Sequence, residues 1–382
     1  MPIKPIKPVA IEAHCFRVPI TSPLRTSFGI MHDRPAVFVR VIDADGTEGW
    51  GEAWCNWPTV GAEHRARLVA DVIGPRLIGR TFASPSEAFT TLSRELEVLA
   101  IQTAEIGPLA QALSGIDHAM WDVSARQQGL PLYQALGGKP VRSVPLYASG
   151  IDPVEPERLA LARKQDGHRA FKLKTGFDRE RDVRNLAAMR EALGPDAVLM
   201  IDSNQAHDLD ASLAMARAAA PHRPIWFEEP MRVDRPISEW KALAAASPVP
   251  LAGGENLRGA EFDVWHEAGV LGVVQPDISK WGGLSANLHI GRQAVAAGRM
   301  FCPHWLAGGV GLVASLHLLA AVGGTGLLEF DSNPNPLREQ VIGDLLEISE
   351  GQITVPQTAG LGLAPDVKAL EAYRTWPART AR

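Results

Sequence analysis

The chain reads as an α/β protein: a modified TIM-type (β/α)8 barrel preceded by an α+β capping domain that the C-terminal segment completes. Three observations predict this. First, the polar residues Lys174, Asp202, Glu228, Glu255, Asp277, His304 and Glu329 follow one another at intervals of 28, 26, 27, 22, 27 and 25 residues. One strand, one helix and two loops of such a barrel consume about that length. Second, after Gly137-Gly138 short apolar runs alternate with helical patterns, eight runs from VPLYAS to GLLEF, and that alternation implies parallel strands joined by right-handed crossovers. Third, the chain before the barrel shows strands followed by a run of helices, the order of an α+β domain.

The capping domain is expected over residues 1–132. Its strands are IEAHCFRVPI and AVFVRVIDADGTEGWGEAW, where Asp45-Gly46 between two strand-like runs signals a hairpin. Helical spacing of apolar residues follows at roughly 62–79, 85–98 and 108–127. The barrel is expected over residues 133–335, with AFKLK, VLMID, PIWFE, VPLAGGE, GVVQPD, RMFCPH and GLLEF as its second to eighth strands, each carrying one of the spaced polar residues at or next to its end. Beyond Asp331 the chain is rich in proline and glycine, and residues 336–382 are expected to leave the barrel and return to the capping domain.

Of the 382 residues, 46% are hydrophobic and 21% charged, the balance of a globular protein with a large core. A formal net charge of -5, with no basic run interleaved with aromatics, makes nucleic acid an unsuitable partner. Cys15, Cys55 and Cys302 are odd in number and widely spaced, which fits neither a zinc site nor a disulfide framework. The N-terminus MPIKPIKPVA lacks a signal-peptide pattern and no window reaches 18 uninterrupted apolar residues, so no membrane association is expected and a cytoplasmic location is. The most apolar stretch, Leu306 to Val322, is punctuated by glycine and reads as a buried barrel helix.

The C-terminal strand ends of such a barrel converge on one mouth, where chemistry takes place. Asp202, Glu228 and Glu255, one unit apart, are hard oxygen donors suited to Mg2+ or Mn2+. Lys172 and Lys174 alternate with apolar residues and face the same side of their strand, the barrel interior, where each needs an anion nearby. A lysine beside another cation has its pKa lowered, which suits a general base. Asp277 and His304, on adjacent units, are placed to hydrogen-bond, the carboxylate orienting the imidazole and raising its basicity. Glu329 at the end of the last strand is available to a substrate oxygen. A divalent cation between a lysine and a histidine is equipment for removing a proton from the carbon next to a carboxylate.

In these residues the chain resembles the enolase superfamily, and within it the mandelate racemase subgroup. The motifs are K-x-K at Lys172 to Lys174, D-x-N at Asp202 to Asn204, WFEEP at Trp226 to Pro230, GGEN at Gly253 to Asn256, QPDISKWGG at Gln275 to Gly283, PHW at Pro303 to Trp305 and LLEF at Leu327 to Phe330, with ALSGIDHAMWD at Ala112 to Asp122 in the capping region. The resemblance implies Mg2+ on Asp202, Glu228 and Glu255, with Glu229 the lesser candidate. It implies Lys174 as one base, the Asp277-His304 dyad as the opposite acid/base, and Lys172 on the substrate carboxylate. A related subgroup uses a strand-six lysine as base, but His304 with Asp277 favours the racemase subgroup and leaves Lys280 a structural residue. The PHW, LLEFD and NPLRE pattern is similar to members acting on acid sugars, so an aldonate or aldarate dehydratase is expected, with racemase, epimerase or sugar-lactone cycloisomerase as alternatives and a homo-oligomer as the implied assembly. Substrate contacts are expected from Asn204, from Trp305 beside the base, and from capping loops through Arg25, Ser27, Phe28, His32, Asn56 and Trp57.

Overall fold

The computed structural model describes residues 4–26 and 29–381. Its N-terminal sheet has the order β14-β1-β2-β3, where β1 is Pro8–Thr26, β2 Gly29–Asp43, β3 Glu48–Ala53 and β14 Arg374–Ala381, all antiparallel. The β2-β3 hairpin turns at Asp45-Gly46, and Gly46 takes φ +83, a backbone conformation that favours glycine. Alternation divides the sheet. Ile11, Ala13, Cys15, Val37 and Val39 pack under the domain's own helices, whereas Phe16, Val18, Ala36, Phe38 and Trp50 join the core shared with the barrel.

The capping helices run Gly61–Arg67, continuing through a π turn and a short helix to Leu77, then Pro85–Thr103 and Ile106–Gln128. Ser84 caps the second of these, its side chain accepting from Glu87 N. The last helix is buried from Ala112 to Ala125 between sheet and barrel. A Cβ on Gly51 would lie 2.0 Å from Gly115 O, so β3 and this helix meet backbone to backbone.

Eight parallel strands form the barrel: β4 Ser143–Ile151, β5 Ala170–Lys174, β6 Val198–Asp202, β7 Phe227–Glu228, β8 Leu251–Gly253, β9 Val273–Val274, β10 Met300–Phe301 and β11 Leu328–Asp331. They pair in sequence from β4 to β10, and β11 returns to pair with β4. Leu327 N, donating to Cys302 Sγ at 3.3 Å, links the β10 and β11 sides. Tyr147, Ala170, Met200, Trp226, Ala252, Val273 and Cys302 fill the barrel as an apolar plug. Lys172, Asp202, Glu228 and His304, each two positions beyond a plug residue, stand on that plug. Helix Gly309–Val322 is buried from Gly309 to Ala321, and no helix among the described residues is long and apolar enough to cross a membrane.

The segment after residue 335 touches both barrel and capping domain. It adds β13, Gln352–Thr354, antiparallel to β4, with β12, Ile348–Ser349, beyond it; Leu361 N then donates to Asp122 Oδ1 of the last capping helix at 2.7 Å, and β14 pairs with β1. The reason lies in β4: β11 begins pairing at Leu146, leaving the β4 edge over Ser143–Pro145 open for β13, and an open edge is satisfied by another strand.

Cap and barrel are joined by buried polar contacts. Asp117 on the last capping helix accepts from Ser285 N at 2.9 Å and Ser285 Oγ at 2.6 Å, and burial pushes its carboxyl up to about 7 against those bonds. The folded protein therefore holds a proton on Asp117 that the unfolded chain, titrating near 3.8, has already lost. The stability associated with that proton is present below the unfolded value and is lost as pH rises toward 7. Asp117→Asn, which never ionises, is accordingly expected to gain stability relative to the parent between those pH values, read by urea unfolding at each end. A pH-independent difference would contradict the assignment.

Candidate active site

The two-residue period of β5 turns Lys172 and Lys174 into the barrel. Lys172 is wholly buried. Its Nζ lies 2.6 Å from Glu228 Oε1, 2.7 Å from Glu329 Oε1 and 3.9 Å from Asp202 Oδ2, over the ring of Tyr147 in the plug. Burial opposes its charge, but Glu228 and Glu329 outweigh burial and raise its pKa well above the ordinary lysine value. Lys174 donates to Asp202 Oδ2 at 2.5 Å and to Asn204 Oδ1 at 2.8 Å. The neighbouring-cation argument predicts a lowered Lys174 pKa, and the structure shows the opposite direction. Burial and Lys172 both lower it, yet Asp202 in direct contact and Glu228 behind it prevail.

Three consecutive strand ends carry Asp202, Glu228 and Glu255, 1%, 2% and 7% exposed. Glu228 also accepts from Gln275 Nε2 at 2.7 Å and Trp226 Nε1 at 3.2 Å, and burial, with Asp202 and Glu329 nearby, pushes it up to about 7 despite Lys172. Lys280 Nζ donates to Glu255 Oε2 at 2.5 Å. Although burial works the other way, His304 and Lys280 hold Glu255 below the usual carboxylate range. Glu229 accepts from Asn256 Nδ2 at 2.9 Å, and burial together with Glu255 raises its pKa well above normal.

On the opposite wall, Asp277 Oδ1 is fixed by Ser279 N at 2.8 Å and Lys280 N at 3.1 Å, which leaves Oδ2 to stand 2.8 Å from His304 Nδ1. His304 Nε2 is 3.4 Å from Glu255 Oε2 and 4.0 Å from Glu329 Oε2. Burial lowers its pKa, but Glu255, Glu329 and Asp277 together carry it to about 9.

Between Lys174 and His304 lies a cavity of about 290 Å³. Its barrel wall includes Asn204, Gln205, Glu229, Glu255, Asn256, Lys280 and Leu306, and its roof is Thr26, Trp54, Asn56 and Trp57 from the capping domain. A narrow recess beside it brings Arg25, Ser149 and Glu329 to the same lysine and histidine. A larger cavity, about 440 Å³, lies between the capping helices, but its lining is mainly apolar, with only Arg94 and Glu97 ionisable, and offers no convergent polar set.

Of the residues singled out from sequence, Lys174, Asn204, Glu255, His304, Asn56 and Trp57 line the cavity, Arg25 and Glu329 the recess, and Asp277 stands behind His304. Asp202, Glu228 and Lys172 are packed beneath, and neither cavity wall includes them. Trp305 is displaced from the expected substrate wall. It is 1% exposed, its Nε1 donates to Gly308 O at 3.0 Å and its ring covers Gly311, so Leu306 takes the place expected of it. His32 is exposed on β2 and lines neither cavity. Ser27 and Phe28 lie outside the described residues.

Lys280, taken as structural from sequence, stands in the cavity wall with its Nζ 4.8 Å from the ring centroid of Trp54. Its signal was its place three residues after Asp277, one tight turn on, with Lys280 N donating to Asp277 O at 3.2 Å. Asn256 was visible inside GGEN. Gln205 was not, because its position depends on positive φ at Asn204 and Gln205, +43 and +66.

Among the described residues, no three His, Cys, Asp or Glu side chains converge as a ready metal site. Asp202, Glu228 and Glu255 each turn an oxygen to a lysine instead. Their donor chemistry nevertheless fits a hard divalent cation: all three are buried carboxylates on adjacent strand ends, and each draws positive charge.

The comparisons accord with this geometry. The family described as enolase C-terminal domain-like matches residues 156–369, and the mandelate racemase / muconate lactonizing enzyme N-terminal domain matches residues 10–137. The crystal structure of a mandelate racemase/muconate lactonizing enzyme from Bordetella bronchiseptica RB50 is 49% identical, covers 97% of this chain and 100% of that one, and superposes with a TM-score of 0.91. A racemase from Streptomyces coelicolor A3(2), 27% identical over 97% of this chain and 100% of its own with a TM-score of 0.85, was solved with bound magnesium. D-galactarolactone cycloisomerase of Agrobacterium fabrum is 32% identical over 97% of this chain and 99% of its own length. Arabinonate dehydratase of Saccharolobus solfataricus is 27% identical over 90% and 91%. With both domains matched along nearly its whole length, the chain belongs to the mandelate racemase / muconate lactonizing enzyme family of the enolase superfamily.

Proposed function

We propose that this protein removes the proton α to the carboxylate of an acid sugar and expels the oxygen substituent at the β carbon, acting as an aldonate or aldarate dehydratase. The carrying observation is the pair of opposed proton-transfer groups, Lys174 on Asp202 and His304 on Asp277, facing each other across one roofed cavity above buried carboxylates. Lys174 takes the α proton. In its present pairing Asp202 keeps the ammonium charged, so engagement of Asp202 elsewhere is what frees Lys174 to act as base. His304, held protonated by its surrounding carboxylates, delivers a proton to the departing hydroxyl, which leaves as water. The amides of Asn56, Asn204, Gln205 and Asn256 offer partners to the remaining hydroxyls.

Asp202, Glu228 and Glu255 are proposed to hold Mg2+, with Mn2+ the alternative, and such a cation would neutralise the negative charge that develops on the substrate carboxylate. A ligand present at 100 times its dissociation constant adds about 2.7 kcal/mol to folding stability. EDTA-treated protein is therefore expected to unfold at lower temperature and to recover on titration with Mg2+. A melting temperature indifferent to both Mg2+ and Mn2+ would reject the metal site.

A second reading is supported by the full-length similarity to the lactone cycloisomerase. It uses the same α-proton removal but expels a ring oxygen in place of a hydroxyl. Incubation with aldonates, aldarates and their lactones in D2O, followed by proton NMR, separates the two: a 2-keto-3-deoxy acid from an open-chain acid supports dehydration, and the same product from the lactone alone supports cycloisomerisation. Retention of every α proton would refute both.

A further inference from the structure

Glu52, on β3, is wholly buried, and its carboxylate reaches out of the capping domain into the barrel. Oε1 accepts from Gly308 N at 2.6 Å and Oε2 from Gly311 N at 2.9 Å, at the start of the helix that follows His304. Its backbone carbonyl accepts from Ser279 Oγ at 2.8 Å, and Ser279 N in turn fixes Asp277 Oδ1. One capping residue thus clamps both barrel loops that carry the Asp277-His304 dyad. Among the described residues, none of these bonds reaches the loop after β5, which carries Lys174.

This clamp uses a carboxylate where a neutral group would cost less. Burial pushes Glu52 up to about 7, the N–H groups of Gly311, Gly308 and Val310 pull it down, and the charge of Asp277 raises it further. The bonds depend on the glycine-rich stretch: a Cβ on Gly308 would meet Glu52 Oε1 at 2.6 Å. An anion at a helix N-terminus is favourable, and its loss leaves the first N–H groups without partners.

We propose that Glu52 is a positioning residue for the Asp277-His304 dyad, by which the capping domain sets the imidazole against the substrate while leaving the placement of Lys174 unchanged. This rests on the α-proton chemistry proposed above. Misplacing a catalytic group by about 1 Å costs on the order of 10²-fold in rate, so a residue that sets one base produces a face-selective defect.

The test uses Mg2+-loaded full-length protein in D2O with D-gluconate and D-mannonate, epimers at C2, as probes. Lys174→Ala and His304→Asn identify which epimer each base serves. Glu52→Gln keeps the shape but presents an N–H where an acceptor is needed. It is expected to slow α-proton exchange of the His304-dependent epimer by about 10²-fold and to leave the Lys174-dependent one within about twofold. Gly308→Ala, which pushes on the same carboxylate from the barrel side, is expected to give the same pattern should Glu52→Gln fail to fold. Equal slowing of both epimers, or of neither, overturns the proposal. If the parent exchanges neither probe, the α-proton reading fails; in that case, or where neither exchange depends on His304, Glu52 is decided by NMR without substrate: the proton on His304 Nδ1, assigned by its loss in His304→Asn, is expected to move in Glu52→Gln, and an unmoved signal overturns the role.

Discussion

Lys174→Ala is expected to lose turnover by about 10²–10⁴-fold, the usual contribution of a positioned general base, and His304→Asn to lose a similar amount by a different route. With Lys174 gone, the α proton of a substrate epimer that presents it to Lys174 stays in place and the NMR spectrum in D2O does not change. With His304 replaced and Lys174 intact, the α proton exchanges while the β-hydroxyl stays, because its departure lacks an acid. The Asn side chain occupies the imidazole volume, so Asp277 keeps Ser279 N and Lys280 N as partners and the loop holds. Lys174→Ala leaves Asp202 buried with Asn204 N, at 2.8 Å, but without its ammonium, so circular dichroism must first confirm that the variant is folded. Turnover at the parent rate in both variants would dismiss the assignment of acid and base. Exchange retained in Lys174→Ala but lost in His304→Asn would reverse their order.

The placement of these side chains could be read from sequence because a strand has a period of two and a barrel has one mouth. AFKLK alone puts both lysines inside, and the near-constant spacing of seven polar residues puts the carboxylates and His304 on the same rim. What escaped depends on packing between distant segments. Trp305 follows the histidine directly and looks like a wall of the site. It is drawn into the core because Gly311 makes room for its ring, where a Cβ would meet it at 1.9 Å. Two of the glycines that punctuate the apolar stretch after His304 thus serve Trp305 at Gly311 and Glu52 at Gly308. The sign of the Lys174 shift has an electrostatic reason: sequence shows that two lysines share a strand face, but not that Lys174 hydrogen-bonds Asp202 directly. Lys280 was undervalued because its reach to Glu255 depends on the turn that follows Asp277. His32 follows the expected strand but ends on the solvent side of β2, a matter of register that only the pairing with β1 decides.

Lys172→Met is expected to destabilise the protein by about 3–5 kcal/mol, since removing one partner leaves an uncompensated buried charge. Methionine follows the lysine side chain as far as Cε and fits the apolar plug over Tyr147, so lost volume contributes little. The cost comes from Glu228 and Glu329, which both give up the ammonium that neutralises them. Glu329 retains Trp305 N, at 2.9 Å, and Ser149 Oγ as donors, whereas Glu228 keeps only neutral donors from Gln275 and Trp226. Adding Glu329→Gln to Lys172→Met removes one of the two orphaned charges, so the double variant is expected to recover stability relative to Lys172→Met, with a coupling of about 1–3 kcal/mol in urea unfolding. A Lys172→Met variant within about 0.5 kcal/mol of the parent, the range of an ordinary surface change, would show that the carboxylates are already neutral in the folded protein. The double variant also separates two duties of Lys172. If it regains stability but turns over more slowly than Glu329→Gln alone, the lysine does more than balance charge, and its remaining duty is toward the substrate.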